Sequence, residues 1–115
     1  MNAELPVQRQ LDAYNDHDLE RFIAEYAEDV AVFRPPATTP ALSGKAAFAK
    51  HYADNRFNLP NLRAEVINRM VCGDKIVDHE RITGLADHVI EAIAVYQVVD
   101  GRIRTVWFFQ SEGGA

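Results

Sequence analysis

Hydrophobic residues in the first half of the chain recur every three or four positions, which is the spacing of amphipathic helices. Asp18 and Ser43 each precede such a stretch and are expected to be helix N-caps. A short apolar run between the last two helices predicts a strand, which the Pro35-Pro36 pair ends. The elements predicted here are helices over residues 4–15, from Leu19 to Ala27 and from Ser43-Gly44 to about Asn55, with a strand over Val30–Phe33.

The second half of the chain has the composition and turn signals of β-structure. Strands are predicted over residues 62–72, 75–83, 89–99 and 102–110. Asp100-Gly101 is the strongest turn signal, because both central positions of a two-residue hairpin favour positive φ. Helices followed by four antiparallel strands predict one α+β domain over residues 1–115, in which a curved sheet covers three helices. The polar, Gly-rich tail over residues 111–115 is expected to be flexible.

The last two predicted strands are apolar on both faces. One face of the strand over residues 89–99 carries Ile90, Ala92, Ala94, Tyr96 and Val98, and the other carries Val89, Glu91, Ile93, Val95, Gln97 and Val99. A sheet packed on one side only would show polar residues on its second face. We therefore expect the outer sheet face to form a homodimer, the alternative being a terminal segment that covers it.

Four polar residues, Asp78-His79-Glu80-Arg81, interrupt the apolar strand over residues 75–83. Buried polar groups are costly unless they are paired. Because side chains alternate along a strand, only one of two sets can face inward. The run therefore marks either a polar-lined cavity or a polar contact surface, and a cavity would be either basic, with His79, Arg81 and Arg34, or acidic, with Asp78 and Glu80.

Composition narrows the classes of partner. The 115 residues are 48% hydrophobic with a net charge of -5, which disfavours binding to nucleic acid or to membranes. The single cysteine, Cys72, cannot form an internal disulfide, and no metal-binding His or Cys spacing occurs, so no metal or cofactor is expected. Neither a signal peptide nor a transmembrane stretch is visible, which favours a cytoplasmic location.

Several segments resemble one superfamily. Leu11–Glu20 resembles its helix-turn-helix opening, Ala27–Val32 its first strand, Leu42–Ala47 its third-helix start and Val99–Ile103 its closing hairpin. The family is the SnoaL-like polyketide cyclase and ketosteroid isomerase branch of the nuclear transport factor 2-like fold. The resemblance implies a cone, with a strongly curved sheet around three helices, an internal pocket and a dimer across the outer sheet face.

The resemblance fails at the residues that carry the isomerase chemistry. Arg34, Gln10 and Ala94 stand where ketosteroid isomerases place the catalytic Asp, an oxyanion-binding Tyr and an oxyanion-binding acid. Enolisation by that mechanism is therefore not supported by this sequence.

The resemblance also implies which side of the polar run faces the pocket. By analogy with the isomerases, His79 and Arg81 would face inward, with His79 as the acid/base and Arg34 or Arg81 binding a carboxylate or polarising a carbonyl. The alternative for His79 is a structural network with residues on adjacent strands. The aromatic walls are expected from Tyr14, Phe33, Tyr52, Trp107 and Phe108.

Three functions are compatible with such a pocket. The first is a cofactor-independent isomerase, cyclase or dehydratase acting on a small apolar carbonyl compound. The second is a protein that binds a hydrophobic ligand without catalysis. The third is a dimerisation module whose cone is filled by side chains. The sequence does not decide between an enzyme and the other two.

Overall fold

A computed structural model describes residues 2–111 and confirms the predicted α+β class. The helices and strands are α1 (Glu4–Asn15), α2 (Leu19–Ala24), β1 (Tyr26–Phe33), β2 (Leu42–Ser43), α3 (Lys45–Asn55), β3 (Arg63–Cys72), β4 (Lys75–Thr83), β5 (Ile90–Val99) and β6 (Arg102–Gln110). The strands form one sheet in the order β2-β1-β6-β5-β4-β3. Beyond Ser111, the tail prediction lies outside the described residues. No helix among the described residues is long and apolar enough to cross a membrane.

Tight turns hold β3 to β6 in an antiparallel meander. Asp100 and Gly101 have φ of 52° and 77°, as a hairpin turn with two positive φ angles requires. Gly73, with φ of 59°, begins the turn between β3 and β4. The four strands start and end within a residue of the predicted bounds, because both turns are encoded locally.

The predicted end of the second helix is wrong. Helix α2 ends at Ala24, and Tyr26 already belongs to β1, where it pairs with Ile103 of β6 in parallel. The Ile103 amide donates to the carbonyl of Glu25 at 2.9 Å, which draws this segment into the sheet. Helical spacing placed Tyr26 on the face of Phe22, but pairing with a distant strand overrides that local preference.

The predicted cap of the third helix is also wrong. Ser43 lies in β2, paired with Ala31 of β1, and the N-cap is Gly44 with φ of 88°. Glycine tolerates this backbone conformation, so the chain turns directly from strand into helix. The prediction for Asp18 is confirmed, since its side chain accepts the Arg21 amide at the start of α2.

An aromatic cluster joins the helices to the inner face of the sheet. Phe22 is buried at its centre, with ring centroids 4.9 to 5.8 Å from those of Tyr14, Tyr26, Phe48, Tyr52 and Phe57. Tilted and stacked ring pairs at this separation stabilise a core beyond the area that they bury. The cluster fixes the positions of three tyrosines around a single interior space.

The outer face of the sheet carries two residues that were expected inside. Phe33 and Trp107 pair between β1 and β6, and their rings stack at 6.3 Å. Neither lines the internal pocket. Both alternate with inward-facing Val32 and Val106, so period two places them outside. The expectation that Phe33 and Trp107 form pocket walls is therefore wrong.

Candidate functional site

Strand β4 turns its acidic residues inward. Asp78 and Glu80 are 0% and 5% exposed, whereas His79 and Arg81 project from the opposite face. The inward orientation of His79 and Arg81 implied by the resemblance is therefore wrong, and the acidic alternative describes the pocket. Period two places Asp78 and Glu80 on the same face as Ile76, which is fully buried, and a register shift between Val66 and Asn68 occurs in the partner strand β3.

The register shift brings a guanidinium to the inner face. Arg69 pairs with Asp78 across β3 and β4, and its Nε and Nη2 donate to the carboxylate at 2.6 and 3.0 Å. Its Nη1 donates to Glu4 and Gln8 of α1 at 3.2 and 2.8 Å. Asp78 is therefore a paired, buried carboxylate that ties the first helix to the sheet.

Glu80 has no cationic partner among the described residues. Its nearest hydrogen-bond donor is the Tyr96 hydroxyl, 3.5 Å from the carboxylate. Burial, and then the charge of Asp78, raise the pKa of Glu80 to about 7, while the Tyr96 hydrogen bond and Arg69 act in the opposite direction. The carboxyl group of Glu80 therefore exchanges its proton close to neutral pH.

A chain of polar groups leads from the core to Glu80. The Tyr26 hydroxyl donates to Gln10 Oε1 at 2.9 Å, and Gln10 Nε2 donates to the Val7 carbonyl at 3.0 Å. Gln10 Nε2 also lies 3.5 Å from the Tyr96 hydroxyl, which in turn donates to Glu80. These contacts fix the Tyr96 hydroxyl beside the carboxylate.

Glu80 faces a pocket between the helices and the sheet. The cavity itself has a volume of about 50 Å³, and its mouth opens to solvent. Besides Glu80, the side chains around it include Tyr14, Tyr52, Tyr96, Phe108, Gln110, Arg34 and Arg56. Such a mixture of aromatic walls and a few polar groups is typical of small-molecule sites.

Comparison with models of protein families identifies the family of this chain. The profile described as a SnoaL-like domain matches residues 7–106. The chain belongs to the SnoaL-like family. Among curated proteins, none matches the sequence.

Solved structures share the fold of this SnoaL-like chain at low sequence identity. An uncharacterised cystatin-fold protein from Novosphingobium aromaticivorans superposes with a TM-score of 0.84 and 18% identity, covering 95% of this chain and 98% of its own. A provisionally named ketosteroid isomerase from Kribbella flavida gives 0.82 and 22%, covering 98% and 80%. A provisionally named polyketide cyclase from Sinorhizobium meliloti gives 0.78 and 18%, covering 95% and 100%.

The three positions that correspond to the catalytic residues of ketosteroid isomerases have other roles in this SnoaL-like chain. Gln10 orients Tyr96, and Arg34 lies at the pocket mouth. Ala94 is fully buried in β5 and lies directly opposite Asp78 of β4. Glu80, the acid that lines this pocket, therefore stands on β4, next to β5, where the family pattern places its oxyanion-binding acid.

Tyr14 and Tyr52 line the pocket together with Phe108, as the sequence led us to expect. Burial raises the pKa of Tyr52 to about 12 and that of Tyr14 still further. Both hydroxyls therefore keep their protons at neutral pH and can donate hydrogen bonds to a bound oxygen atom.

Gln110 adds an open acceptor at the end of β6. Its Oε1 is the only buried side-chain oxygen or nitrogen among residues 2–111 that has no hydrogen-bond partner. A buried polar atom without a partner costs free energy, which a ligand that donates a hydrogen bond would recover. No pattern in the sequence indicates this atom, because its burial depends on residues that are distant in the sequence.

His79 forms a surface pair on the outer face. Its Nε2 lies 2.5 Å from Glu91 Oε2 on the neighbouring strand β5, and both side chains are partly exposed. This matches the alternative of a structural network between adjacent strands. Arg81 is exposed on the same face, so neither residue reaches the pocket. Within the described part of the chain, no group of three His, Cys, Asp or Glu residues is arranged to hold a metal ion.

Proposed function

We propose that this protein is an enzyme that transfers a proton within a small carbonyl compound, with Glu80 as the general acid and base. The observation that carries the proposal is a buried carboxyl group that faces the pocket without a cationic partner among the described residues. A pKa of about 7 leaves comparable amounts of the acid and the carboxylate at neutral pH. This balance is the most effective one for general acid–base catalysis.

The pocket groups suit an enolisation. The Glu80 carboxylate takes a proton from the carbon next to the carbonyl, and the electron pair of the broken C–H bond forms a C=C bond. The π pair of the carbonyl moves onto its oxygen, which accepts a hydrogen bond from Tyr14 or Tyr52. In a β,γ-unsaturated ketone the product is a dienolate, so protonated Glu80 can return the proton to the γ-carbon while the oxygen electron pair re-forms the carbonyl and the double bond moves to the α,β position, which completes an isomerisation.

The neighbours named as a ketosteroid isomerase and a polyketide cyclase support this class of chemistry only broadly. In this chain the acid of the proposal stands on β4, and no residue repeats the isomerase set. The substrate class is therefore taken from the pocket and not from either neighbour.

A second candidate is a binding protein without catalysis. The unpartnered Gln110 Oε1 favours it, because an acceptor fixed in the wall would orient a ligand through one hydrogen bond. The cavity is small, so the argument against the third alternative, in which side chains fill the cone, rests on the polar groups of Glu80 and Gln110 that line it.

Exchange of hydrogen for deuterium separates these candidates. Small ketones would be incubated with the protein in D₂O, and loss of their α-protons followed by NMR. We expect the wild type and Glu65→Gln, which changes an exposed outer residue, to accelerate exchange, and Glu80→Gln to lose the acceleration. Equal exchange by the wild type and Glu80→Gln would refute the role of Glu80.

We also propose that the outer sheet face binds a second copy of the chain. The face is apolar at Met70, Ile93, Trp107 and Phe109, and it carries both signs of charge beside this patch. A twofold arrangement can place the positive residues of one copy opposite the negative residues of the other. The expected cytoplasmic location and the absence of nucleic-acid or membrane partners stay predictions.

A further inference from the structure

Two arginines stand at the mouth of the pocket. Arg34 follows directly after β1, and Arg56 is the C-terminal cap of α3. Both line the same space as Glu80, although they come from segments that are far apart in the sequence. Sequence reasoning identified Arg34 as a candidate, but it missed Arg56, because the end of α3 carries no motif.

Neither guanidinium forms an ion pair with a carboxylate among residues 2–111. The Arg34 Cζ lies 5.4 Å from the centre of the Phe108 ring, which is itself a pocket wall. Arg56 Nη1 donates to the Asn55 carbonyl at 2.8 Å. By contrast, Arg69, the other arginine close to the inner face, is saturated by Asp78 and α1. The two mouth arginines therefore keep donors for a ligand.

The charges of Arg34 and Arg56 change the pKa values of residues close to the pocket. Arg56 and Arg34 both lower the pKa of Tyr52, while Glu80 raises it. The pKa of His51 is lowered first by burial and then by the charges of Arg56 and Arg34, while the charge of Asp54 raises it. The pocket is therefore positive at its mouth and carries its carboxyl group further in.

We propose that the ligand carries a carboxylate, which Arg34 and Arg56 bind at the mouth while its carbonyl end reaches Glu80. A guanidinium matches a carboxylate with paired N–H donors, and two such groups give a strong preference for an anion. The ligand expected from the sequence as small and apolar is thereby refined to a small oxo acid with an apolar body. This assignment rests on the proposed function for the end that reacts, but the anion site can be tested without turnover.

The test compares two probes of the same shape. 4-Oxo-4-phenylbutanoate carries a ketone, a phenyl ring and a carboxylate, and its primary amide lacks only the charge. Titration of the isotopically labelled protein followed by NMR gives both dissociation constants. We expect the acid to bind at least tenfold more tightly than the amide, with shift changes at Arg34, Arg56 and Tyr52.

Substitutions then test whether Arg34 and Arg56 cause the preference for the acid over the amide. Arg34→Gln with Arg56→Gln should lower the affinity for the acid at least tenfold and leave the affinity for the amide unchanged. Arg102→Gln, which removes an exposed arginine of the hairpin outside this pocket, should change neither. Glu80→Gln should still discriminate acid from amide even if catalysis is never observed, so failure of the two proposals can be told apart. Failure of the acid to bind at millimolar concentration, or equal affinities for acid and amide, would overturn the inference.

Discussion

Asp78 and Glu80 project from the same face of β4 into the protein, but only Asp78 has a guanidinium partner among the described residues. The two carboxyl groups are two residues apart, so the charge of Asp78 opposes ionisation of Glu80. Arg69 compensates the first acid and leaves the second to titrate close to neutral pH. One strand therefore carries a structural carboxylate and a reactive carboxyl group side by side.

The raised pKa of Glu80 predicts a stability that depends on pH. The folded protein binds the proton more tightly than the unfolded chain, so the stabilisation is complete below pH 4.5 and is lost as pH rises through about 7. The difference corresponds to about 3 to 4 kcal/mol, taking ~1.4 kcal/mol for each pKa unit. Urea unfolding at several pH values should show that Glu80→Gln loses this part of the pH dependence. An unchanged profile, matching that of Glu65→Gln, would contradict it.

Removal of Arg69 should destabilise the protein strongly. Arg69→Met would leave the carboxylate of Asp78 buried without its partner, which costs about 3 to 5 kcal/mol in other proteins. The double variant Arg69→Met with Asp78→Asn should recover much of this loss, because the uncompensated charge is gone. Arg104→Met breaks an exposed pair with Asp29 and should cost less than about 1 kcal/mol. Denaturant unfolding measures all three, and similar losses for Arg69→Met and Arg104→Met would contradict the account.

Tyr96 should tune the proton affinity of Glu80. Its hydroxyl donates to the carboxylate and so favours the ionised form. Tyr96→Phe is therefore expected to raise the pKa of Glu80, which NMR titration of the carboxyl carbon would detect. Tyr26→Phe removes a hydroxyl one step further along the chain of polar groups and should shift this pKa less. A lowered pKa in Tyr96→Phe would be incompatible with this hydrogen bond.

Gly84 is expected to be intolerant of any side chain. It has φ of 77°, and a Cβ added there would lie 2.1 Å from the backbone oxygen of Asn61. Gly84→Ala should therefore lower the free energy of unfolding by more than the roughly 1 to 2 kcal/mol of left-handed backbone strain. Gly73→Ala is the matched control, because φ is 59° and no atom lies within 4 Å of the added Cβ. Equal effects in a thermal unfolding comparison would rule out the steric contribution.

The outer face should control the oligomeric state. Ile93 is 42% exposed in the single chain, so Ile93→Lys should leave the fold intact while placing a charge in the proposed interface. We expect a dimer for the wild type and a monomer for this variant in sedimentation experiments. Leu5→Lys changes a similarly exposed apolar residue on α1, away from the outer sheet face, and should remain dimeric. A monomeric wild type at micromolar concentration would refute the dimer.

The accuracy of the sequence predictions follows the range of the interactions involved. The Asp100-Gly101 hairpin and the Asp18 cap depend on neighbouring residues, and both are as predicted. Tyr26 is a strand residue because of its pairing with β6, which no local pattern contains.

The residues of the candidate site could not be predicted fully either, because their positions also depend on contacts between distant parts of the chain. Alternation along β4 reduced the choice to an acidic or a basic pocket, and the family resemblance then favoured the wrong set. The inward set of β4 is the one that shares a face with fully buried Ile76, and the register shift in β3 turns Arg69 inward to meet Asp78. Nothing in the residues around position 67 indicates that shift.

The titration of Glu80 tests the central claim most directly. With glutamate carboxyl carbons labelled, NMR across the pH range can follow this one resonance, which its absence from Glu80→Gln identifies. We predict a midpoint at about 7, well above the ordinary value of 4.5. A midpoint at or below 4.5 would show that Glu80 is ionised throughout the physiological range and would contradict its assignment as the acid and base of this pocket.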